Sequence, residues 1–227
     1  MFPIGDENVR TPGVPIVTWL LIALNAVAFA FELSMGYSRL EPFFQSYAVV
    51  PTQIRQGENL ISLVTSMFLH GGWAHIISNM VFLAVFGDNV EAVLGKILYP
   101  AFYLLGGVAA SLAHVLLNVG SSVPSLGASG AVAAVLGAYV VMFPRARVRV
   151  LIFLGLFATV GRVTAFFFLG IWFLTQLLSG VASIGPATAQ TAGVAYWAHI
   201  GGFVVGLVVG LLFRRRAQRL NQVALRS

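Results

Sequence analysis

A serine and a histidine occupy comparable positions in two apolar stretches of this chain. Ser129 follows the loop 120–127 and opens a stretch in which small residues recur at four-residue spacing. His199 lies in a second stretch with the same spacing of small residues. Residues four apart share one face of a helix, so each side chain lies beside a face that permits close helix packing. If the two helices pack against each other, Ser129 could act as a nucleophile and His199 as its general base.

The depths of the two residues in their helices also agree. Ser129 precedes Phe143 by 14 residues, and His199 precedes Phe213 by 14 residues. At a rise of about 1.5 Å per residue, both side chains would lie roughly 21 Å from one end of their helices. A serine at a helix start is often only an N-cap, and a membrane histidine often only bonds a neighbouring helix. The matched depth favours the catalytic interpretation.

The composition places these helices in a membrane. Hydrophobic residues make up 59% of the 227 residues and charged residues only 9%, whereas soluble domains carry about 25% charged residues. This balance excludes a soluble enzyme and a disordered chain. The absence of cysteine excludes a disulfide scaffold, a thiol nucleophile and a thiolate metal site. The chain is therefore predicted to be an all-α polytopic membrane protein.

Six helical spans are predicted within a single membrane domain, 1–227. The spans are 14–33, 73–95, 97–119, 129–143, 164–181 and 192–213. Residues 34–72 form an outer first loop, and 214–227 form a basic cytoplasmic tail. Segment 150–160 is too short to cross a bilayer and is predicted to be interfacial or re-entrant. The fourth span covers only about 22 Å of a roughly 30 Å hydrocarbon core, so its outer end must be recessed.

The net charge of +6 is explained by basic residues that set the orientation of the chain in the membrane, and it does not indicate nucleic-acid binding. Most of the Lys and Arg residues would lie on the side of both termini, and only Arg39 and Arg55 on the other. The positive-inside rule then places both termini in the cytoplasm. Ser129 and His199 would open toward the outer side, because both lie far from the cytoplasmic ends of their spans.

The second span offers further hydrogen-bond donors near the same depth. His75 and Asn79 are four residues apart and share a helix face. They are either interfacial and interhelical polar residues or donors to an oxyanion, alongside the backbone N–H of Ser129. A metal site of His70, His75 and His199 is a weaker alternative, because no carboxylate lies near it on the outer side of the second or sixth span, and no metal is predicted.

The glycines of the fourth and sixth spans are predicted to serve helix packing. Small residues allow close backbone approach in lipid, where hydrophobicity cannot drive association. The positions concerned are Gly130, Gly137, Gly202 and Gly206.

Taken in order, these motifs resemble the rhomboid family of intramembrane serine proteases. The segment 127–130, Gly-Ala-Ser-Gly, is similar to the GxSG of that family's fourth helix, and 198–206 is similar to the AHxxGxxxG of its sixth. His70, His75 and Asn79 match the HxxxxHxxxN of its second helix. The resemblance covers almost the whole chain and implies the minimal six-helix prokaryotic form in the cell (inner) membrane.

The resemblance also implies roles for individual residues. Ser129 would be the nucleophile and His199 its base, with an oxyanion hole from His75, Asn79 and the backbone N–H of Ser129. The substrates would be single-span proteins in the lipid bilayer, with no cofactor and no nucleic-acid partner. Some members carry an aromatic residue four positions after the serine that stacks on the histidine; this chain has Ala133 there.

Two other functions remain open at this stage. A catalytically inactive rhomboid-like protein would bind membrane clients, but both Ser129 and His199 are present. A small transporter would need a charged site near the midplane or a visible inverted repeat, and the sequence has neither. The oligomeric state cannot be inferred from the sequence.

Overall fold

The computed structural model of the chain describes residues 2–7, 9, 13–154, 157–183 and 195–224. Its helices are α1 (Ile16–Ser34), α2 (Tyr37–Tyr47), α3 (Pro51–Arg55), α4 (Ser62–Thr65), α5 (Trp73–Leu94), α6 (Leu98–Leu117), α7 (Ser129–Met142), α8 (Ala165–Ala182) and α9 (Tyr196–Ala224). A single 3-10 turn follows α4 at Ser66–Phe68. The strands are β1 (Phe2–Glu7), β2 (Arg147–Leu154) and β3 (Phe157–Thr164).

The helices make this a multi-pass membrane protein. Among the described residues, five helices, α1, α5, α6, α8 and α9, are long and apolar enough to cross a membrane. These helices coincide with five of the six predicted spans, although residues 192–194 of the last span lie outside the described part of the chain. The remaining predicted span corresponds to α7, which is apolar but has only 14 residues.

Helix α7 lies at the centre of the helical bundle. Every residue from Gly130 to Val140 is buried. α7 contacts α9 over the longest stretch of any helix pair and also packs against α5 and α6. Its small side chains explain this position, because Gly and Ala allow several neighbouring helices to approach one short helix at once.

The all-α prediction is wrong at one end of the bundle, where three strands form an antiparallel sheet in the order β1-β2-β3. Residues 150–154 and 157–160 pair as parts of β2 and β3, so this described part of segment 150–160 is not a re-entrant piece. The sequence 147–150, Arg-Val-Arg-Val, alternates polar and apolar residues, and Val148 and Val150 are fully buried while both arginines are exposed. That two-residue period is the pattern of a half-buried strand.

Strand β1 is held against the helices by a half-buried carboxylate. The Tyr139 hydroxyl donates to Asp6 Oδ2 over 2.5 Å, and Asn89 Nδ2 donates to the same oxygen over 2.9 Å. Burial raises the pKa of Asp6 above its ordinary value of 3.8. The N-terminal strand, α5 and α7 are thereby joined at the sheet end of the bundle.

The start of α1 is capped by a side chain from another helix. Glu91 on α5 accepts hydrogen bonds from the backbone N–H of Val17, at 3.0 Å, and of Thr18, at 2.7 Å. The Thr18 hydroxyl also donates to this carboxylate. A carboxylate at a helix N-terminus satisfies free N–H groups and complements the helix dipole. Glu91 therefore joins α1 to α5.

The predicted basic tail is helical as far as the structure describes it. Helix α9 continues past Phe213 to Ala224 without interruption, and residues 225–227 lie outside the described part. At about 1.5 Å per residue, α9 is longer than a roughly 30 Å hydrocarbon core requires. Its arginine-rich end, 214–216, therefore extends beyond the apolar span.

Candidate active site

Ser129 and His199 are brought into direct contact. Ser129 is the first residue of α7, and His199 lies in the first turn of α9. Ser129 Oγ and His199 Nε2 are 2.8 Å apart. The His199 side chain is only 8% exposed, whereas Ser129 is half-buried. A hydroxyl within hydrogen-bond distance of an imidazole nitrogen is the arrangement that nucleophile activation requires.

Glycines set the separation between α7 and α9. A Cβ at Gly202 would overlap the carbonyl oxygen of Gly130, and one at Gly206 would overlap the carbonyl oxygen of Ala134. Conversely, a Cβ at Gly137 would overlap a backbone carbonyl on α9. The two backbones are therefore in contact over about two turns below the Ser129–His199 pair.

Gly130 serves a different neighbour. A Cβ at this position would lie 2.7 Å from Ala110 Cβ on α6, and 3.8 Å from Ala198 Cβ. Gly130 thus permits α6 to approach α7 directly beside Ser129.

The backbone of the loop before α7 is hydrogen-bonded to the first loop. Val49 and Ser125 exchange two backbone hydrogen bonds, of 2.9 and 2.8 Å. The N–H of Gly127 donates to the Ser66 carbonyl oxygen over 2.9 Å. Irregular backbone survives at membrane depth only when protein or water satisfies its polar groups. The first loop supplies these partners immediately before Ser129.

Gly127 also makes room for His75. Its φ of +129° strains any other residue, and a Cβ there would lie 2.6 Å from His75 Nε2 and 3.6 Å from Ser129 Oγ. His75 Nε2 and the Ser129 hydroxyl therefore border one small space. The Gly71 N–H approaches His75 Nδ1 at 3.4 Å, which favours an unprotonated Nδ1 and an Nε2–H that faces this space.

Asn79 presents an unused donor one turn further along α5. Its side chain is 6% exposed, and its Nδ2 has no hydrogen-bond partner among the described residues. A buried donor without a partner costs about 1–3 kcal/mol. On the same helix face as His75, this donor is available to a transient acceptor.

His70 packs against His75, on which it would act as a support, and is not part of a metal centre in the described residues. Its ring packs edge-on against His75, with centroids 5.1 Å apart, and Glu32 accepts its backbone N–H at 3.1 Å. Burial lowers the pKa of His70 to about 4, so the ring is neutral. Within the described ranges, no three His, Cys, Asp or Glu side chains are grouped to hold a metal ion.

Comparison with known proteins identifies the family of this chain. The family model described as "Rhomboid domain" matches residues 57–216. The chain belongs to the rhomboid family. It is 29% identical over 217 residues to "Rhomboid protein 1, mitochondrial" of Saccharomyces cerevisiae, an alignment that covers 93% of this chain and 57% of the yeast protein.

Other rhomboids match shorter parts of the chain. "Rhomboid protease GluP" of Bacillus subtilis is 35% identical over 127 residues, which cover 56% of this chain and 24% of that protein. "Presenilin-associated rhomboid-like protein A, mitochondrial" of Danio rerio is 32% identical over 135 residues, 58% of this chain and 34% of the relative. The alignments thus span between 24% and 57% of the length of these relatives. Membership of this family supports a protease-type function in the membrane.

Sequence reasoning about this rhomboid did not foresee two side chains that contact His199, and both lie on α8. Gln176 Oε1 is 2.7 Å from His199 Nδ1. The Trp172 ring lies against the imidazole, with centroids 5.8 Å apart and planes inclined by 32°. The signal was an amide side chain inside an apolar span, where polar residues are costly and usually have a partner.

A narrow cleft runs beside Ser129 between the first loop, α6 and α7. Its volume is about 20 Å³, and its lining includes Ser66, Met67, Gly107, Ser111 and Ser129. Three of these five residues carry hydroxyls, so the cleft offers polar groups next to the nucleophile position.

Proposed function

We propose that this rhomboid is an intramembrane serine endopeptidase that uses Ser129 as nucleophile and His199 as base. The observation that carries the proposal is the 2.8 Å separation of Ser129 Oγ and His199 Nε2. Membership of a family that includes a named rhomboid protease supports the same reaction class. No Asp or Glu contacts His199 among the hydrogen bonds of the described residues, so the carboxylate of a triad is absent from them.

In the proposed reaction, His199 transfers protons between Ser129, the leaving amine and water. His199 Nε2 takes the Ser129 proton as Oγ attacks the scissile carbonyl, which forms a tetrahedral oxyanion and an imidazolium. The imidazolium then donates this proton to the leaving amine, and an acyl-enzyme remains. His199 then takes a proton from a water molecule, which attacks the ester of the acyl-enzyme. The carboxylic acid leaves, and the imidazolium returns a proton to Ser129 Oγ.

Three donors would stabilise the oxyanion. They are the His75 Nε2–H, the Asn79 side-chain amide and the backbone N–H of Ser129, which begins a helix and has no carbonyl one turn before it to accept the bond. His75 Nε2 borders the space at Ser129 Oγ, and the Asn79 Nδ2 has no partner among the described residues. Prearranged donors of this kind contribute strongly where charge develops.

Substitution Asn79→Ala is expected to lower kcat by about ten- to a thousandfold, the range for loss of one oxyanion donor. The melting temperature in detergent should change little, because the removed donor has no partner in the folded protein. Steady-state kinetics and thermal denaturation on one preparation measure both. A large loss of stability with unchanged activity per folded molecule would instead make Asn79 a structural residue.

We further propose α7 as a recessed sixth crossing of one rhomboid-like membrane domain, with the site open to the outer side. Helix α7 spans only about 21 Å at 1.5 Å per residue. The sheet end of the bundle carries most of the arginines, including Arg145, Arg162 and 214–216, which supports a cytoplasmic position for this end and both termini. The membrane would be the cell (inner) membrane.

Single-span membrane proteins are the proposed substrates. Only 22% of the residues of helix α8 are buried, so most of this helix faces away from the bundle. On the α8 side, little protein therefore separates the site from lipid. A substrate helix that moves past α8 must partly unwind before a peptide bond reaches Ser129, and exposed backbone groups require a wet site. Residues 184–194, which follow α8, lie outside the described part of the chain.

The proposal is tested with purified protein in proteoliposomes and a single-span model substrate. Wild-type protein is expected to release two fragments, and Ser129→Ala none. A fluorophosphonate should label wild-type protein at Ser129, and the variant should not be labelled. Intact substrate with wild-type protein, or labelling that persists in Ser129→Ala, would contradict the protease assignment; binding of intact substrate would indicate a client-binding protein.

A further inference from the structure

The second ring nitrogen of His199 contacts a side chain on a different helix from Ser129. His199 Nε2 faces Ser129 on α7, and His199 Nδ1 faces Gln176 Oε1 on α8 at 2.7 Å. A neutral imidazole carries one proton, so one of its nitrogens donates while the other accepts. The tautomer therefore decides whether His199 can take a proton from Ser129.

A chain of hydrogen bonds selects that tautomer. The Thr175 hydroxyl donates to the Trp172 carbonyl oxygen over 2.6 Å, which leaves its own lone pairs to accept. Gln176 Nε2 donates to Thr175 Oγ1 at 3.4 Å, so Gln176 Oε1 is turned toward His199 as an acceptor. An acceptor opposite Nδ1 requires Nδ1–H. Nε2 is then unprotonated and faces the Ser129 hydroxyl, as a general base must.

Close packing of α8 on α9 brings the amide within reach. Gly180, one turn after Gln176, is buried, and a Cβ there would lie 3.1 Å from Ile200 Cδ1 and 3.5 Å from the Trp197 side chain. On α7, the position four residues after Ser129 is Ala133, which offers no ring to hold the imidazole. Trp172 and Gln176 on α8 contact the ring instead.

We infer that Gln176 is a positioning residue that fixes the catalytic tautomer of His199. Its neutral amide holds Nδ1–H where a triad uses a carboxylate, and during acylation it would accept a stronger hydrogen bond from the imidazolium. Because Ser129 and His199 are themselves proposed as the catalytic pair, this inference rests on the proposed function. It also makes alignment of the pair depend on α8 lying against α9.

Substitution Gln176→Leu keeps a similar volume and removes the acceptor. We expect kcat to fall by about ten- to a hundredfold, the scale for losing a partner that orients a functional histidine, with KM nearly unchanged. The rate of Ser129 labelling by a small fluorophosphonate should fall by a similar factor, because this probe needs no passage of a helix past α8.

Substitution Gln176→Glu restores an acceptor of the same shape and should recover most of the kcat. Its carboxylate stabilises the imidazolium more than an amide does, so the acid limb of the pH–rate profile should move to higher pH. A residue that only fills space would give neither the recovery nor the shift. Thr175→Val removes the hydroxyl that accepts the long 3.4 Å bond from the amide and that donates to the Trp172 carbonyl oxygen. It leaves Gln176 Oε1 in place and should have a smaller effect in the same direction.

Leu178→Ala on the same helix is the matched control, because its side chain is 62% exposed and away from His199; its kinetics should equal those of the wild type. Wild-type labelling rate, kcat and pH profile in Gln176→Leu would overturn the inference and leave the protease assignment intact. Absence of Ser129-dependent labelling in wild-type protein would overturn the assignment itself. If Gln176→Leu does not fold, a wild-type pH profile in a folded Gln176→Glu would be the overturning result.

Discussion

Substitution His199→Ala is expected to lower the rate of Ser129 acylation by about three orders of magnitude or more, the scale seen when the base of a serine hydrolase is removed. Without the imidazole, the Ser129 proton has no acceptor at 2.8 Å, and the hydroxyl is a weak nucleophile. Fluorophosphonate labelling and cleavage of a single-span substrate should decline together, because both require formation of the same Oγ bond.

His114→Ala is the matched control for this prediction. This histidine lies on α6, where its ring nitrogen Nδ1 is 3.3 Å from Asn118 Nδ2, and among the described residues no hydrogen bond joins it to Ser129 or His199. Its removal should leave the labelling rate close to that of the wild type. Rapid labelling of Ser129 in His199→Ala would show that another group accepts the proton and would refute the proposed pair.

Substitution Gly206→Val is expected to reduce activity by about a hundredfold or more and to lower the melting temperature. A Cβ at Gly206 would overlap the Ala134 carbonyl oxygen and lie 2.8 Å from Ala138 N, and neither backbone atom can rotate away. Helix α9 must therefore move from α7, and a shift of about 1 Å in a reacting pair can cost about a hundredfold in rate.

Gly170→Val separates this steric effect from a general effect of valine in a membrane helix. Gly170 lies on α8, and nothing approaches within 4 Å of a Cβ placed there. Activity and melting temperature should therefore remain near the wild-type values. Wild-type activity in Gly206→Val would show that the contact between α7 and α9 does not determine the geometry of Ser129 and His199.

The sequence was informative about the spans because the relevant property is local. A bilayer selects long apolar helices by length and composition alone, so five of the predicted spans coincide with helices of sufficient length. The shared depth of Ser129 and His199 also follows from counting residues along regular helices. The structure places the two side-chain atoms 2.8 Å apart.

The β-sheet was missed because its pairing is nonlocal. The alternation at 147–150 is a weak strand signal by itself, and β1 was too short and polar to suggest a partner. Pairing joins Glu7 with Arg147 and Phe2 with Leu151, across most of the chain. No period within either segment specifies such a contact, and only the folded bundle brings the two segments together.

By itself, the sequence predicted which residues have reactive side chains, which helices carry them and where each lies along its helix. The tertiary structure decided what each side chain meets. Gln176 illustrates the difference, because its contact with His199 depends on the rotation of α8 and its separation from α9. The rotation of α8 and its distance from α9 are set by packing between the two helices, at positions such as Gly180. The periodicity of a single helix does not specify either of them.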